Sequence, residues 1–158
     1  MLKTAVFGGG CFWQVEEAYR TNPGIKSTCA GYMGGDFENP LHLDVCARIT
    51  GHAEVVQLTF NPAIITYTEL LEIFWQIHDP TTLNRQGPDR GEQYRSVIFF
   101  HSPEQQAEAI SSKLKAQKSF EDPIVTEIKP AKPFWPAKEE HQQYLYKQQS
   151  QISRSRFS

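Results

Sequence analysis

The sequence predicts an α+β protein, a single-domain two-layer sandwich in which helices cover a mixed or antiparallel sheet. Its 158 residues suffice for one domain with a substantial core and are too few for two ordinary domains. Runs typical of strands and helices follow the order β-α-β, β-α, β-α-β and a terminal helix, with long polar loops between these groups. That order favours a core of the split β-α-β, or ferredoxin-like, kind.

Two strands flank the first predicted helix. Residues 2–7 are mostly apolar, which is typical of a buried strand, and residues 12–20 are helix-forming. This helix ends before an Asn-Pro-Gly sequence at residues 22–24, a strong turn signal. Residues 25–32 form the next predicted strand.

The middle of the chain combines a long loop, a strand and a buried helix. Residues 33–50 are polar and contain glycine, with a short helical piece at 41–47, and long connections of this kind are more often functional than idle. Residues 52–60 are mostly apolar and form the clearest strand. Thr66 and Glu69 form a capping box, and the helix that follows is apolar over more than half of its circumference, so we expect it to be buried on most sides.

The last third begins with a second long loop, at residues 79–93. Strands are predicted at 94–100 and 124–128. Between them Ser102 is the N-cap of a helix, because proline follows it at the first helical position. A final helix is predicted at 139–149.

Charge and composition exclude several classes of partner. The formal net charge is -2, so no bulk field favours nucleic acid or an anionic membrane, and no apolar run approaches the length of a membrane span. The N-terminus lacks a signal-peptide pattern. Three cysteines without a C-x-x-C pair indicate reduced thiols in the cytoplasm. We expect residues 1–149 to form the domain and the polar residues 150–158 to be a flexible tail.

The joint between the first strand and the first helix has the features of a reactive site. Three glycines precede Cys11, where they allow a sharp turn and a close approach of other groups. A cysteine at a helix start faces unpaired N–H groups, which favour the thiolate, so we expect its pKa to lie below about 8.5. Phe12 and Trp13 follow and can wall an apolar pocket. The alternatives are an inert buried cysteine and, less favoured, a turn that binds phosphate.

Glu54 interrupts the clearest strand. It shares a face with Val56 and Leu58, which favours burial, and burial raises the pKa of a carboxyl group. A carboxylic acid kept neutral near pH 7 can donate a proton, whereas the alternative is a Glu54 side chain turned to solvent.

The residues alone leave further candidate site residues and other functions open. Tyr94 lies where a loop enters a strand and can present its hydroxyl to a cleft, although a core tyrosine fits equally well. His141 and Tyr144 share one helical face if their segment is helical. A metal site is disfavoured because the cysteines lack paired short spacings. A cysteine acyltransferase or hydrolase, and a methionine- or peptide-binding module without turnover, are the other readings.

Five spaced motifs occur together and in a fixed order. They are Gly10-Cys11-Phe12-Trp13, Gly51-His52-Ala53-Glu54-Val55-Val56, Phe74-Trp75-Gln76-Ile77-His78-Asp79-Pro80, Asn84-Arg85-Gln86-Gly87 and Gln93-Tyr94-Arg95-Ser96. This set resembles the peptide methionine sulfoxide reductase A family, over nearly the whole chain from about residue 3 to residue 146. The resemblance implies a thiol-dependent reductase that converts methionine-S-sulfoxide, protein-bound or free, to methionine during repair of oxidative damage.

The resemblance also assigns roles. Cys11 matches the nucleophile, which becomes a sulfenic acid; Glu54 matches the acid that assists the sulfoxide oxygen, and Tyr94 a hydroxyl that binds it. Phe12 and Trp13 match the pocket that holds the methyl group of the substrate. Asp89, His141 and Tyr144 match a polar network around the site. No cofactor or metal is implied, and we expect a monomer.

Two departures from the family pattern concern oxygen binding and recycling. His42 occupies the place of a usual tyrosine, so it either donates a ring hydrogen bond or turns away. No cysteine follows Cys46, although many members resolve the sulfenic acid with a later one. Resolution then uses Cys46, Cys29 or an external thiol. The expected reductant is thioredoxin for an internal disulfide, and glutaredoxin or a small thiol otherwise.

Overall fold

The computed structural model describes residues 1–149, so the predicted tail at 150–158 lies outside the described residues. Within residues 1–149 there are eight strands: β1 (Lys3–Gly8), β2 (Ile25–Met33), β3 (Ala53–Phe60), β4 (Arg85–Gln86), β5 (Asp89–Arg90), β6 (Val97–Phe100), β7 (Glu127–Pro130) and β8 (Trp135–Pro136). The α-helices α1 (Phe12–Arg20), α2 (His42–Cys46), α3 (Tyr67–Ile77) and α4 (Pro103–Gln117) accompany them. Short 3-10 turns occupy Glu92–Tyr94 and Glu139–His141, and residues 144–149 are helical.

The main sheet has six strands in the order β7-β6-β1-β3-β2-β8. Neighbouring strands are antiparallel except β6 and β7, which are parallel. The predicted mixed α+β class is therefore confirmed. Phe7 on β1 pairs with Val56 on β3, so continuation of this register brings Glu54 level with Gly9, just before Cys11.

The two faces of the sheet bury different clusters. The larger cluster lies against the helices, where Phe7 stacks on Tyr19 of α1 and on Phe74 of α3. The smaller cluster, centred on Val55 and Phe99, lies on the opposite face. Strand alternation explains the division, because successive side chains point to opposite faces. None of the described helices is long and apolar enough to cross a membrane.

Several predicted boundaries were wrong. Residues 92–94 form a 3-10 turn, so the strand predicted from 94 begins at Val97. The strand predicted at 124–128 begins at Glu127, because Val125 donates its N–H to the Pro80 carbonyl rather than to β6. The second long loop contains the two-stranded β4–β5 sheet.

The helix predicted at 139–149 is interrupted. A 3-10 turn ends at His141, and Gln143 adopts a left-handed φ of 49°, before residues 144–149 become helical. The interruption has a structural cause, because Gln142 and Gln143 bond to β2 and α1 instead of continuing the helical ladder.

Candidate active site

Cys11 is the N-cap of α1, immediately after the glycine turn that follows β1. Gly10 has a φ of 98°, which favours glycine, and a Cβ there would lie 2.9 Å from the Gln86 side chain. A Cβ on Gly9 would lie 3.0 Å from the ring of His78. The turn therefore requires glycine for its conformation and for the close approach of two neighbouring side chains.

Glu54 is buried beside this turn. Its side chain is on the helix-facing side of β3 and the residue is 1% exposed. Oε1 accepts the backbone N–H of Phe12 at 3.3 Å, and Oε2 has no hydrogen-bond partner within the described residues. Burial raises the pKa of Glu54 to about 7, opposed by the Phe12 bond and aided by the charge of Asp89. The expected burial of Glu54 is confirmed.

The expected low pKa of Cys11 was wrong. Burial of the sulfur raises the pKa of Cys11 to about 11. The N–H groups of Trp13 and Gln14 lower it, as expected at a helix start, while the charges of Glu54 and Asp89 raise it further. Desolvation and two carboxylates thus outweigh the helix N-terminus. An ionised Cys11 is favoured when Glu54 is protonated.

Aromatic rings surround Phe12 and Trp13. Phe12 is buried against Tyr32, with ring centroids 5.5 Å apart, and Trp13 stacks on Tyr144 at 3.9 Å. The Trp13 Nε1–H donates to Nδ1 of His141 at 3.3 Å. The structure therefore brings His141 and Tyr144 to the start of α1, although they are not on one continuous helix.

Two polar side chains, the half-buried Gln142 and the buried Glu16, hold this C-terminal segment in place. Gln142 accepts the N–H of Ala30 and donates to the carbonyls of Ala30 and Ala137, each at 2.8–2.9 Å. Glu16, 1% exposed, accepts the backbone N–H of Gln143 at 2.7 Å. The segment is thereby docked on the β2 edge and on α1, with His141 and Tyr144 over Trp13.

Tyr94 and Asp89 lie on the polar side of the same site. Burial raises the pKa of Tyr94 to about 12, and so do the charges of Glu54, Cys46, Asp89 and Cys11. The Tyr94 hydroxyl is thus within electrostatic reach of both sulfurs and both carboxylates. Asp89, on β5, raises the pKa of Cys11 and of Glu54 as well.

His42 turns towards the site. Its Nδ1 lies 3.2 Å from the Tyr32 hydroxyl, and its Nε2 lies 3.4 Å from Sγ of Cys46. Its ring is 4.6 Å from that of His141. Cys46 is exposed, and its pKa is raised by burial of the sulfur and by the charge of Glu54.

Cys29 has different surroundings. Its sulfur contacts the Ala30 carbonyl at 3.7 Å, and its pKa is raised by partial burial and by the charges of Glu16 and Glu139. None of the groups that raise it is Cys11, Glu54 or Asp89. Cys11, Cys29 and Cys46 are all free thiols. Within residues 1–149, no cluster of histidine, cysteine and carboxylate side chains could hold a metal ion.

Comparison with known proteins identifies the family. The model of the family described as peptide methionine sulfoxide reductase matches residues 3–158. The chain belongs to this family. A relative from Methanothermobacter thermautotrophicus, named peptide methionine sulfoxide reductase MsrA, is 60% identical over 145 residues, which are 90% of this chain and 86% of that protein. The resemblance inferred from the motifs is confirmed, and the protein is an oxidoreductase that reduces methionine sulfoxide.

Solved structures agree with the family assignment. Reduced Mxr1 from Saccharomyces cerevisiae matches with a TM-score of 0.89 and 40% identity, over 92% of this chain and 85% of that one. The same yeast protein in complex with Trx2 matches with a TM-score of 0.65 and 32% identity, over 90% of this chain and 84% of that one.

Sequence reasoning missed three residues that organise the site. Tyr32 lies opposite Glu54 in the β2–β3 ladder and contacts both Phe12 and His42. Glu16 and Gln142 dock the C-terminal segment. Glu16 carried a usable signal, since it occupies an inner position of α1 between Val15 and Tyr19. Gln142 and Tyr32 carried no signal in the sequence, because their roles depend on strand pairing and on long-range contacts.

Proposed function

We propose that this chain reduces methionine-S-sulfoxide, protein-bound or free, to methionine by attack of Cys11 on the sulfoxide sulfur. The observation that carries this proposal is the Glu54 carboxyl group. It is buried, has a pKa of about 7, and bonds to the N–H of the residue that follows Cys11. A proton donor and a sulfur nucleophile therefore share one small site.

The substrate methyl group binds against Phe12 and Trp13 in this proposal. Phe12 has Tyr32 beside it, and Trp13 is held by His141 and Tyr144. The sulfoxide oxygen lies towards Glu54 and Tyr94, on the polar side. A methyl group on the aromatic side and an oxygen on the polar side select one configuration at sulfur.

Proton transfer links the raised pKa values of Cys11 and Glu54. A sulfoxide oxygen leaves sulfur only when it is protonated, and neutral Glu54 supplies that proton while Tyr94 donates a hydrogen bond. The Cys11 thiolate attacks the substrate sulfur. The protonated oxygen then passes from that sulfur to the Cys11 sulfur as the transient S–S bond breaks, so methionine leaves and Cys11 becomes a sulfenic acid. Protonation of Glu54 also removes a charge that opposes ionisation of Cys11.

Cys46 is the resolving cysteine in this proposal, in preference to Cys29. Cys46 is exposed, and its charge and that of Cys11 both act on the Tyr94 hydroxyl. Cys46 gives up its thiol proton and attacks the sulfur of Cys11-SOH, which forms a disulfide and releases the hydroxyl group with that proton as water. Thioredoxin then reduces the disulfide, as the yeast relative's complex with Trx2 suggests by analogy. Direct reduction by glutaredoxin or a small thiol is the alternative outcome of the test.

We also infer that residues 1–149 are one reductase domain with a ferredoxin-like split β-α-β core. The order β6-β1-β3-β2, antiparallel throughout, with α1 and α3 in the two crossover positions, supports this. A cytoplasmic monomer is the proposed state, and the three free thiols support the location. Light scattering after size-exclusion chromatography measures the oligomeric state.

The decisive experiment is turnover of the two separated methionine sulfoxide epimers, first with dithiothreitol and then with thioredoxin. The S epimer is reduced and the R epimer is not. Cys11→Ser abolishes reduction, and Glu54→Gln slows it by about 100-fold while an amide still donates a hydrogen bond. Equal rates on both epimers, or an active Cys11→Ser variant, would contradict the proposal.

Intact mass after treatment with substrate tests recycling separately. A loss of two hydrogens indicates a disulfide, and a gain of one oxygen indicates a persistent sulfenic acid. Cys46→Ser is expected to convert the first result into the second, whereas Cys29→Ser leaves the first unchanged.

A further inference from the structure

We propose that His42 is the general base that activates Cys46 in the resolving step, an inference that rests on the proposed function of Cys46. His42 and Cys46 are at positions i and i+4 of α2 and therefore share one helical face. Nε2 of His42 lies 3.4 Å from Sγ of Cys46. A thiol proton can pass directly to the imidazole at this separation.

The ring of His42 is held in position by contacts on its other sides. Nδ1 lies 3.2 Å from the hydroxyl of Tyr32, which is a buried residue opposite Glu54. The ring stacks over Phe12 at 6.1 Å and lies 4.6 Å from His141. When the Nδ1–H donates to the Tyr32 oxygen, Nε2 is the free acceptor and faces the Cys46 sulfur.

The charged and titratable groups around the pair support transfer in this direction. Burial lowers the pKa of His42, and so does the charge of His141, while Glu140 raises it. His42 is therefore neutral at pH 7 and able to accept a proton. Burial and the charge of Glu54 raise the pKa of Cys46, so this thiol needs a base at neutral pH.

The resolving step converts one thiol and one sulfenic acid into a disulfide and water. His42 takes the thiol proton of Cys46, and the thiolate attacks the sulfur of Cys11-SOH. The Cys46–Cys11 bond forms, the S–O bond of the sulfenic acid breaks, and hydroxide leaves. The proton on His42 neutralises the hydroxide, so the net products are a disulfide and water.

Quenched-flow kinetics separates the two steps. Methionine release reports attack by Cys11, and the loss of two hydrogens reports disulfide formation. In the parent we expect disulfide formation to vary little from pH 7 to pH 9. Two variants test this: His42→Tyr retains a ring, and His42→Gln retains an amide. In both, we expect disulfide formation to slow about tenfold or more at pH 7. In both variants it then rises about tenfold per pH unit, because it follows the thiolate fraction of Cys46.

Disulfide formation with the parent's rate and pH profile in both variants overturns the proposal. Iodoacetamide labelling of Cys46 in a Cys11→Ser background is a second readout that needs no turnover. His42→Tyr is expected to slow this labelling at pH 7 and not at pH 10, and equal labelling at pH 7 overturns the proposal. A parent enzyme that releases no methionine contradicts the proposed function instead, and the labelling result still decides the role of His42.

Discussion

Burial and the helix N-terminus act in opposite directions on Cys11. Desolvation raises the pKa of this thiol to about 11, although two backbone N–H groups of α1 lower it. The charge of Glu54 is among the groups that raise the pKa. Cys11 is therefore held protonated near neutral pH, and protonation of Glu54 removes one of the charges that oppose its ionisation.

Glu54→Gln should accordingly make Cys11 more reactive towards a simple alkylating agent while it impairs reduction of sulfoxide. The substitution removes a negative charge, so the pKa of Cys11 falls and iodoacetamide labels Cys11 about threefold faster at pH 9. Peptide-resolved mass spectrometry measures the rate. Glu17→Gln is the matched control and leaves labelling unchanged, because this half-buried carboxylate of α1 pairs with Arg20 and is not among the groups that shift the pKa of Cys11. Equal labelling of the parent and Glu54→Gln would show that the two side chains do not interact.

The raised pKa of Glu54 also makes stability depend on pH. Its folded-state pKa of about 7 exceeds the ordinary value of 4.5, so the folded protein loses stability as pH rises between these values and through 7. Relative to Glu54→Gln, the parent should lose about 2.5 kcal/mol of unfolding free energy between pH 5 and pH 8. Urea unfolding at the two pH values measures the difference. A difference between parent and variant that is the same at both pH values would mean that Glu54 titrates normally.

At the level of elements, the C-terminal segment contributes side chains to the site, as α1 does. It carries His141 and Tyr144 to Trp13, yet it is docked chiefly by Gln142 and by the Glu16 carboxylate. The 3-10 turn, Gln143 with its left-handed φ and the helical residues 144–149 form one continuous segment that packs on the β2 edge. The aromatic wall of the site therefore depends on polar contacts remote from the sulfur.

Gln142→Ala tests this dependence. The variant loses three hydrogen bonds to Ala30 and Ala137, each worth about 1 kcal/mol, so the segment opens more often. We expect kcat/KM for a sulfoxide peptide to fall about tenfold, mainly through KM, and hydrogen exchange at residues 139–147 to quicken. Lys147→Ala, which removes only exposed bonds to Glu139, is the control and stays within about twofold. An unchanged KM in Gln142→Ala would mean that the C-terminal segment does not shape the binding site.

The elements also show what sequence patterns can reveal. The long strands and α3 were predictable, because apolar periodicity and the Thr66–Glu69 capping box are local signals, and both are present in the structure. The start of β7 was not, because it is set by pairing with β6 and by the Pro80 carbonyl. The break at Gln143 likewise results from a bond to Glu16, which is remote in sequence.

For the whole molecule, the order of elements was enough to predict the mixed α+β class, and the motifs were enough to predict the family. The burial of Glu54 followed from strand alternation, and the structure bears it out. The pKa of Cys11 did not follow, because its sign depends on how much desolvation the assembled site imposes. The contact of His42 with Tyr32 also requires the fold, since it joins α2 to β2.

For the whole enzyme, the exposure of the two sulfurs predicts which sulfur of the disulfide a reductant attacks. Cys46 is exposed and Cys11 is partly buried, so a thioredoxin thiolate should reach the Cys46 sulfur of a Cys11–Cys46 disulfide and expel the Cys11 thiolate. A thioredoxin whose second active-site cysteine is replaced by serine traps this intermediate. Mass spectrometry of the trapped species should locate the mixed disulfide at Cys46, with the same yield in Cys29→Ser. A mixed disulfide at Cys11 would show that the site opens before thioredoxin binds, because the partly buried sulfur must then become the more accessible one.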